Sequence, residues 1–228
     1  MIESLNLEKS ISREADKDVR LMKSYALKNI EKSLKKYKEE YKYTPLFKKT
    51  ENKIQLEESK LGHNYGIEKI KSLIPKNDDH KIIVIDGAYK EEFSNIPTGI
   101  LVKKYSDLSE DMKGEFQKTY QGFDDSQNDI FSSLNTINHL ECLTIHVEKE
   151  VNIKNKISII NFIQSPHSSY FRKSILIKKS SHVSFSEEFI GSTKEISFSN
   201  SVAEIFLHEN SKLDYFSCQN FKNNFHFN

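Results

Sequence analysis

The C-terminal part of the chain carries an apolar pattern that returns at steps of 32 and 30 residues. Each copy has an apolar–x–apolar pair and, beyond a short polar turn, a further apolar residue; the copies begin at Leu143, Ile175 and Ile205. Alternating strands that are separated by polar turns at a fixed period are typical of a β-solenoid. The pattern therefore predicts a right-handed parallel β-helix over residues 141–228.

The N-terminal part has helical periodicity instead. Apolar residues recur every three or four positions from Ile11 to Leu34, which predicts an amphipathic helix over about 8–38. Because the polar face of this helix mixes both signs of charge, packing on the rest of the protein is favoured over a docking or membrane-surface role. Pro45 ends the helix or extends the chain that follows it.

Shorter elements fill the stretch between this helix and the repeats. The β-branched run at 81–87 and the apolar run at 100–102 predict strands, and both adjoin turn-forming residues. Apolar stripes predict helices over about 107–120 and 125–139. The sequence thus predicts an α+β region over 1–140 that leads into the β-helix.

Composition narrows the class of protein. The chain has 228 residues, of which 29% are charged, yet its formal net charge is only +1, so the total charge gives no indication of a nucleic-acid partner. Two cysteines, Cys142 and Cys218, are too few for a disulfide scaffold and fit a reducing compartment. No apolar run has the length of a signal peptide core or a membrane span. We therefore expect a soluble cytoplasmic protein without a membrane partner.

Several segments carry a family resemblance through their order along the chain. The matching residues are Glu40, Lys42, Tyr43 and Thr44 in a Glu-x-Trp-Lys-Tyr-Thr-x-Leu-like segment with Tyr41 in the Trp position, Gly87, Pro97 and Gly99 in strand-and-turn segments, Asn135 in the helix before the repeats, and Gly191 and Glu204 within the repeats. Together they resemble the SufB/SufD family of the Suf iron–sulfur cluster assembly system, and its SufD branch more closely than its SufB branch.

The resemblance implies a function and partners. A SufD-like protein is a non-enzymatic scaffold subunit that acts with a SufB-like protein and a SufC-like ATPase, and iron or an iron–sulfur cluster is bound at the level of that complex. Family members are longer, with more β-helix coils and a C-terminal helical region that contacts SufC. We therefore expect a β-helix that is incomplete at the C-terminus, in a fragment, in a split or shortened gene product, or in a chain whose exposed end a partner covers. The family's functional residues at the SufB–SufD interface lie in the part that this chain lacks, so none of them can be assigned to a residue of this sequence.

The sequence offers few candidate residues for metal binding or catalysis. Glu187, Glu188 and Glu204 are weak candidates for a face that holds iron through oxygen ligands, with solvated surface as the alternative. Cys142 and His146 are too far apart in a strand to share one ion. The chain has no phosphate-binding loop, nucleophile elbow or H-E-x-x-H motif.

Two other functions remain open at this point. One is a β-solenoid carbohydrate-active enzyme, which would need clustered aspartates with lysine or arginine on successive coils; the repeats have serine, lysine and glutamate instead. The other is a truncated paralogue of the scaffold that retains only its protein-binding activity.

Overall fold

The computed structural model describes residues 11–12, 14–40, 42–43, 67–75, 79–119, 130–164, 168–191, 197–221 and 224–228. Within these residues the helices are α1 Lys17–Glu40, α2 Ile67–Leu73, α3 Glu110–Thr119 and α4 Ile130–Asn138. The strands are β1 Lys81–Ile85, β2 Ala88–Tyr89, β3 Ile100–Lys104, β4 Cys142–Val147, β5 Ile157–Ile163, β6 Ser168–Ile177, β7 His182–Gly191, β8 Ser197–Leu207, β9 Lys212–Asn220 and β10 Asn224–Phe227.

The strands form two five-stranded sheets. The first sheet has the order β2-β1-β5-β7-β9, and the second has the order β10-β8-β6-β4-β3. From β4 onward the chain alternates between the two sheets, so strands that follow each other in one sheet are parallel. Each sheet has one antiparallel pair at the end that is formed by the earlier part of the chain. This pair is β1 with β2 in the first sheet and β3 with β4 in the second.

The repeat of the sequence sets the register of these strands. Ile145 pairs with Ile175, and Ile175 pairs with Ile205, so the step along the chain is the same in both cases. The longer step that the sequence pattern suggested between the first two copies, from Leu143 to Ile175, therefore exceeds the true step by two positions. Because side chains alternate with period two, a shift by two leaves the inward and outward faces unchanged, which is why the apolar pattern did not reveal it.

The main apolar core lies between the two sheets. It combines inward side chains of the first sheet, such as Ile159 and Phe185, with those of the second, such as Ile145 and Ile177. Helices cover the outer faces: Ile70 of α2 packs on the first sheet, while α3 and α4 pack on the second, and α1 packs on α4. The described residues thus form helix, sheet, sheet and helix layers.

The prediction of a right-handed parallel β-helix is wrong. Both sheets mix parallel and antiparallel pairs, and helices accompany them, so the architecture is an α/β fold with no β-helix solenoid indicated. A repeat with a fixed step specifies which strands become neighbours, but it does not specify how the two sheets are completed. The antiparallel β2 and β3 come from the region before the repeats, where no repeat signal exists.

The remaining elements agree with the sequence in type. The strands predicted at 81–87 and 100–102 are confirmed as β1 and β3, and the two short helices are confirmed as α3 and α4. Residues 120–129, where the first of these helices was expected to end and the second to begin, lie outside the described part of the chain. The division into 1–140 and 141–228 stays a prediction, although β1 pairs with β5 and β3 with β4 across it.

The turns between the sheets share an unusual backbone conformation. Glu150, Ser180 and Asn210 all have positive φ values, of 62°, 59° and 55°, and they follow each other at the step of the repeat. The amide of Glu150 donates to the carbonyl of Lys179, and that of Ser180 donates to the carbonyl of Glu209. The turns therefore stack on one another and continue the hydrogen bonding of the strands.

Candidate protein-interaction surface

The two sheets end on one side in strands whose outer edges lack a strand partner among the described residues. We call this side the open edge; it consists of residues 201–207 of β8 and the whole of β9. β10 pairs only with residues 197–200 of β8, and β9 pairs with β7 alone. The open edge therefore presents backbone donors and acceptors of both sheets side by side.

Large apolar side chains line the open edge. Ile205, Phe206, Leu207 and Phe216 have exposed fractions of 41%, 41%, 47% and 63%, and they are half of the exposed large apolar residues in the described part of the chain. Ile205 and Leu207 are in register with the core residues Ile175 and Ile177 of β6. The interior between the sheets thus reaches solvent at this edge, which is typical of a protein-interaction surface.

The opposite ends of the sheets are protected. In the first sheet the last strand, β2, has only two residues, and the amide of Tyr89 donates to the Glu141 carboxylate at 3.1 Å. In the second sheet β3 carries Lys103 and Lys104, and Lys104 forms an ion pair of 2.6 Å with the same Glu141. Short strands and lysines are the usual means of preventing edge-to-edge association. We call this side the guarded edge.

A buried polar network lies directly behind the open edge. The Glu187 carboxylate accepts hydrogen bonds from Lys173 Nζ at 2.8 Å, Asn161 Nδ2 at 2.8 Å and the Tyr215 hydroxyl at 2.5 Å. Lys173 also donates to the Ser201 hydroxyl at 3.0 Å. The side chains of Lys173 and Glu187 are only 3% and 1% exposed, so these five residues join both sheets from within.

Tyr215 of this network and the nearby His226 have shifted pKa values. Burial and the negative charge of Glu187 raise the pKa of Tyr215, so its hydroxyl remains a donor. Burial lowers the pKa of His226 to about 4, so the imidazole is neutral near pH 7. Its Nδ1 lies 2.7 Å from the Ser199 hydroxyl. The network therefore contains one compensated ion pair and otherwise neutral groups.

A second buried polar group holds the helices on the outer face of the second sheet. Arg172 forms an ion pair of 2.9 Å with Glu204 and donates to the Thr136 hydroxyl of α4 at 2.8 Å. Asn135 donates from its side-chain amide to the carbonyls of Phe171 and Asn200. These contacts fix α4 across β6 and β8.

The three glutamates proposed as iron ligands do not share a face. Glu187 points between the sheets, Glu188 lies on the opposite face of β7, and Glu204 lies on the other sheet, paired with Arg172. Both carboxylate oxygens of Glu187 accept hydrogen bonds within the network. Within the residues that the structure covers, no group of three or more histidine, cysteine, aspartate or glutamate side chains is arranged to hold a metal ion. The role as iron ligands stays a prediction.

The motif glycines near the guarded edge lie where there is no space for a side chain. Gly87 has φ +87°, and a Cβ there would lie 2.3 Å from the Tyr170 carbonyl oxygen. Gly99, two residues after Pro97, has φ +84°, and a Cβ would lie 2.6 Å from a methyl group of Val151. Only glycine fits both the conformation and the space at these two positions.

The other motif residues are spread over the structure. Gly191 lies against Phe221 at the end of β7, and Glu40 is the last residue of α1. Lys42 Nζ lies 4.7 Å from the centre of the Tyr43 ring, whose side chain is 86% exposed. Thr44 lies outside the described residues. The motif residues therefore do not converge on one site.

The two cysteines and His182 lie on strands of the repeats. Cys142 of β4 is buried, whereas Cys218 of β9 is exposed. His182 of β7 lies 3.0 Å from Asp214 on the neighbouring strand β9. Pairing between strands of successive repeats brings such partners together, and local spacing cannot reveal them.

Comparison with protein families identifies the chain. The model of the SufBD protein N-terminal region matches residues 6–159, which is more than half of the chain. The chain belongs to the SufB/SufD family. At the level of this family it is involved in iron–sulfur cluster assembly. The match extends from before α1 to β5, so the whole of the open edge lies beyond the matched segment of this SufB/SufD protein.

No curated protein matches the chain. Among the described helices of this SufB/SufD protein, none is both long and apolar enough to cross a membrane.

Proposed function

We propose that this SufB/SufD protein is a non-enzymatic scaffold subunit of SufD type. It acts in the cytoplasm, in a complex with a SufB-like protein and a SufC-like ATPase, and the iron–sulfur cluster is the cargo that the complex assembles. The observation that carries the proposal is the open edge, where four exposed apolar side chains border backbone that has no strand partner among the described residues of either sheet.

The open edge suits a protein partner for physical reasons. Edge strands pair readily with the strands of another polypeptide, because the main chain already presents donors and acceptors at the strand spacing. The charged side chains of β9, Lys212 and Asp214, lie at its start, and no charged residue follows in the strand. Aromatic side chains such as Phe206 and Phe216 supply the buried area on which protein interfaces depend.

The test is a binding experiment with the two expected partners. The tagged full chain is expressed with the SufB-like protein and the SufC-like ATPase of the same cells. The mass of the recovered complex and the amount of each partner in it are then measured. We expect the wild-type chain to recover the SufB-like protein. Phe206→Asp combined with Phe216→Asp should weaken this recovery at least about tenfold, because the variant places two charges in the apolar interface.

The control is Leu73→Asp, which adds a charge at an exposed apolar residue of α2, away from the open edge. It should leave recovery unchanged. Recovery of the SufB-like protein without the ATPase would indicate the paralogue that retains only part of the interactions. Recovery of neither partner, in conditions that recover a known Suf complex, would contradict the proposed function.

A further inference from the structure

The outward face of α1 is a second surface that the scaffold proposal leaves unexplained. Between Lys17 and Lys32, the described side chains that are exposed are four cations and two large apolar residues. These residues are Lys17, Arg20, Leu21, Tyr25, Lys28 and Lys32. We call this set the cationic face of α1.

The opposite face of α1 is already buried in the protein. Val19, Met22, Ala26 and Ile30 are each at most 7% exposed, and they pack against α3, α4 and the outer face of the second sheet. The helix is therefore held firmly, with the cationic face outward. Because the apolar stripe of α1 is occupied, Leu21 and Tyr25 are the only large apolar side chains that the described part of this helix exposes. Two such residues are less than the continuous apolar face that an interfacial helix inserts into a membrane.

Three carboxylates near the start of α1, among the side chains that the structure describes, are directed to other partners. Asp16 pairs with Lys113 of α3 at 3.0 Å, and Glu14 pairs with the buried Lys23 at 2.9 Å. Asp18 accepts a hydrogen bond from Gln117 at 2.7 Å. The acidic residues at and just before the start of α1 thus stabilise its attachment to the fold.

The two apolar residues form a compact centre within the cationic face. Leu21 and Tyr25 are 58% and 50% exposed, and they lie one helical turn apart. Lys28 Nζ lies 5.8 Å from the centre of the Tyr25 ring. An apolar centre with charges around it resembles the arrangement of protein interfaces, in which a few apolar or aromatic contacts are surrounded by a polar rim.

We propose that the cationic face of α1 docks an acidic segment of a partner protein, with an apolar side chain of that segment placed on Leu21 and Tyr25. The complementary charge selects carboxylate-rich surfaces and speeds association, while the apolar centre provides the contact area. This inference rests on the proposed scaffold function, since it assigns a second contact to a protein partner.

Charge reversal on the cationic face tests the proposal. Lys17→Glu, Lys28→Glu and Lys32→Glu are combined in the full chain; Arg20 is left in place because its guanidinium donates to the Glu14 carbonyl. Glutamate and lysine have similar helix propensities, so α1 should be retained. The matched control combines Lys149→Glu, Lys154→Glu and Lys156→Glu, which makes the same change in net charge at exposed loop positions.

Binding is measured to the purified SufB-like protein and SufC-like ATPase, separately and as a complex, at several salt concentrations. We expect the α1 variant to bind one of them about tenfold more weakly than the wild type at low salt, and the difference to shrink as salt screens the charges. The control variant should bind within about twofold of the wild type. Equal affinities for the two variants would overturn the inference while leaving the scaffold proposal intact.

A second measurement keeps the inference testable if neither Suf partner binds. A photo-reactive p-benzoyl-phenylalanine replaces Ser24, next to the cationic face, or Lys156 as the control position, in the full chain in its native cells. We expect Ser24-specific adducts with peptides rich in aspartate and glutamate, and their loss in the charge-reversed variant. Adducts with lipid alone, with peptides that lack acidic residues, or at no more than the control level would overturn the inference.

Discussion

The two ends of the double sheet differ in both their edges and their cores. At the guarded edge, Glu141 holds an amide of β2 and the ammonium group of Lys104, and the adjacent core residues, such as Ile82 and Val102, are apolar. At the open edge, no described strand pairs with the outer backbone, and the core contains the ion pair of Lys173 and Glu187. The guarded edge thus prevents pairing with further strands. The open edge combines a buried polar network with exposed apolar side chains.

The difference shows how the core is stabilised at the end that is closed to partners and at the end that is open to them. An apolar core needs no particular partner, whereas a buried ion pair stabilises one arrangement only if every group is satisfied. The network behind the open edge fixes the positions of both sheets where no further described strand supports them. The following four predictions test this contrast.

The largest effect is expected for the buried ion pair. Lys173→Met leaves the Glu187 carboxylate buried without its cation, and we expect it to lower the free energy of unfolding by about 3–5 kcal/mol. Combining it with Glu187→Leu removes both charges and should restore part of that loss, because Asn161 and the Tyr215 hydroxyl then lose their common acceptor. Urea unfolding of the single variant, the double variant and the wild type gives the values. A single variant as stable as the wild type would contradict the role of the network.

The next effect is acid destabilisation through buried histidines. Burial and the nearby charges of Lys23 and Arg172 hold the pKa of His139 well below 6.5, and burial lowers that of His226 to about 4. Both groups take up protons more readily when unfolded. Their contribution to stability is therefore complete above pH 6.5 and is lost as the pH falls from there towards the folded-state pKa values.

Each such group steepens the pH dependence by up to about 1.4 kcal/mol per pH unit. Replacing His139 with the neutral amide, His139→Gln, should therefore flatten the decline in unfolding free energy between about pH 6.5 and pH 5. The measurement is urea unfolding at several pH values. Equal slopes for the variant and the wild type would mean that the pKa of His139 is the same in the folded and the unfolded chain.

A smaller effect is expected at the guarded edge. Glu141→Ala removes the acceptor of the Tyr89 amide and the partner of Lys104, and should cost about 1.5 kcal/mol because both bonds involve a charged group. It should also favour association of the chain, since the edge of β2 loses its protection. The exposed Glu91, changed to alanine, is the control. Sedimentation and thermal unfolding measure the two consequences.

The smallest effect concerns the stacked turns. Glu150→Gly and Ser180→Gly relieve residues held at positive φ, and each should stabilise the protein by up to about 1 kcal/mol after the entropy of glycine is taken into account. Asn210→Gly should change little, because asparagine tolerates this conformation well. Thermal unfolding of the three variants measures whether their changes in stability follow this order. A larger gain at Asn210 than at the other two would refute this explanation.

The sequence revealed the elements better than their arrangement. Strands and helices depend on local periodicity, so β1, β7 and α1 could be identified from their own residues. The burial of Glu187 was also readable, because it has the same phase in β7 as Val183 and Phe185. This phase disagrees with both interpretations of Glu187 given above, the iron-holding face and the solvated surface.

Other features of the site had no local signal. The β-helix prediction failed because the repeat does not encode the antiparallel strands β2 and β3 or the helices on the outer faces. The two contacts of Glu141 join residues of β2 and β3 that are distant in sequence from it, and the partner of Lys173 lies on the other sheet. The open edge itself follows from where strand pairing stops, which sequence alone did not indicate.

The alternation of the chain between two sheets has a consequence for the order of folding. From β4 to β10 each strand pairs with the next strand but one along the chain, so these contacts close short loops. In contrast, β1 pairs with β5 across β2, β3, β4 and two helices, and Lys23 of α1 reaches the carbonyl of His139 beyond the end of α4. Because long loops cost more entropy to close, the stacked strands are expected to form first, and the N-terminal elements then join a surface that already exists.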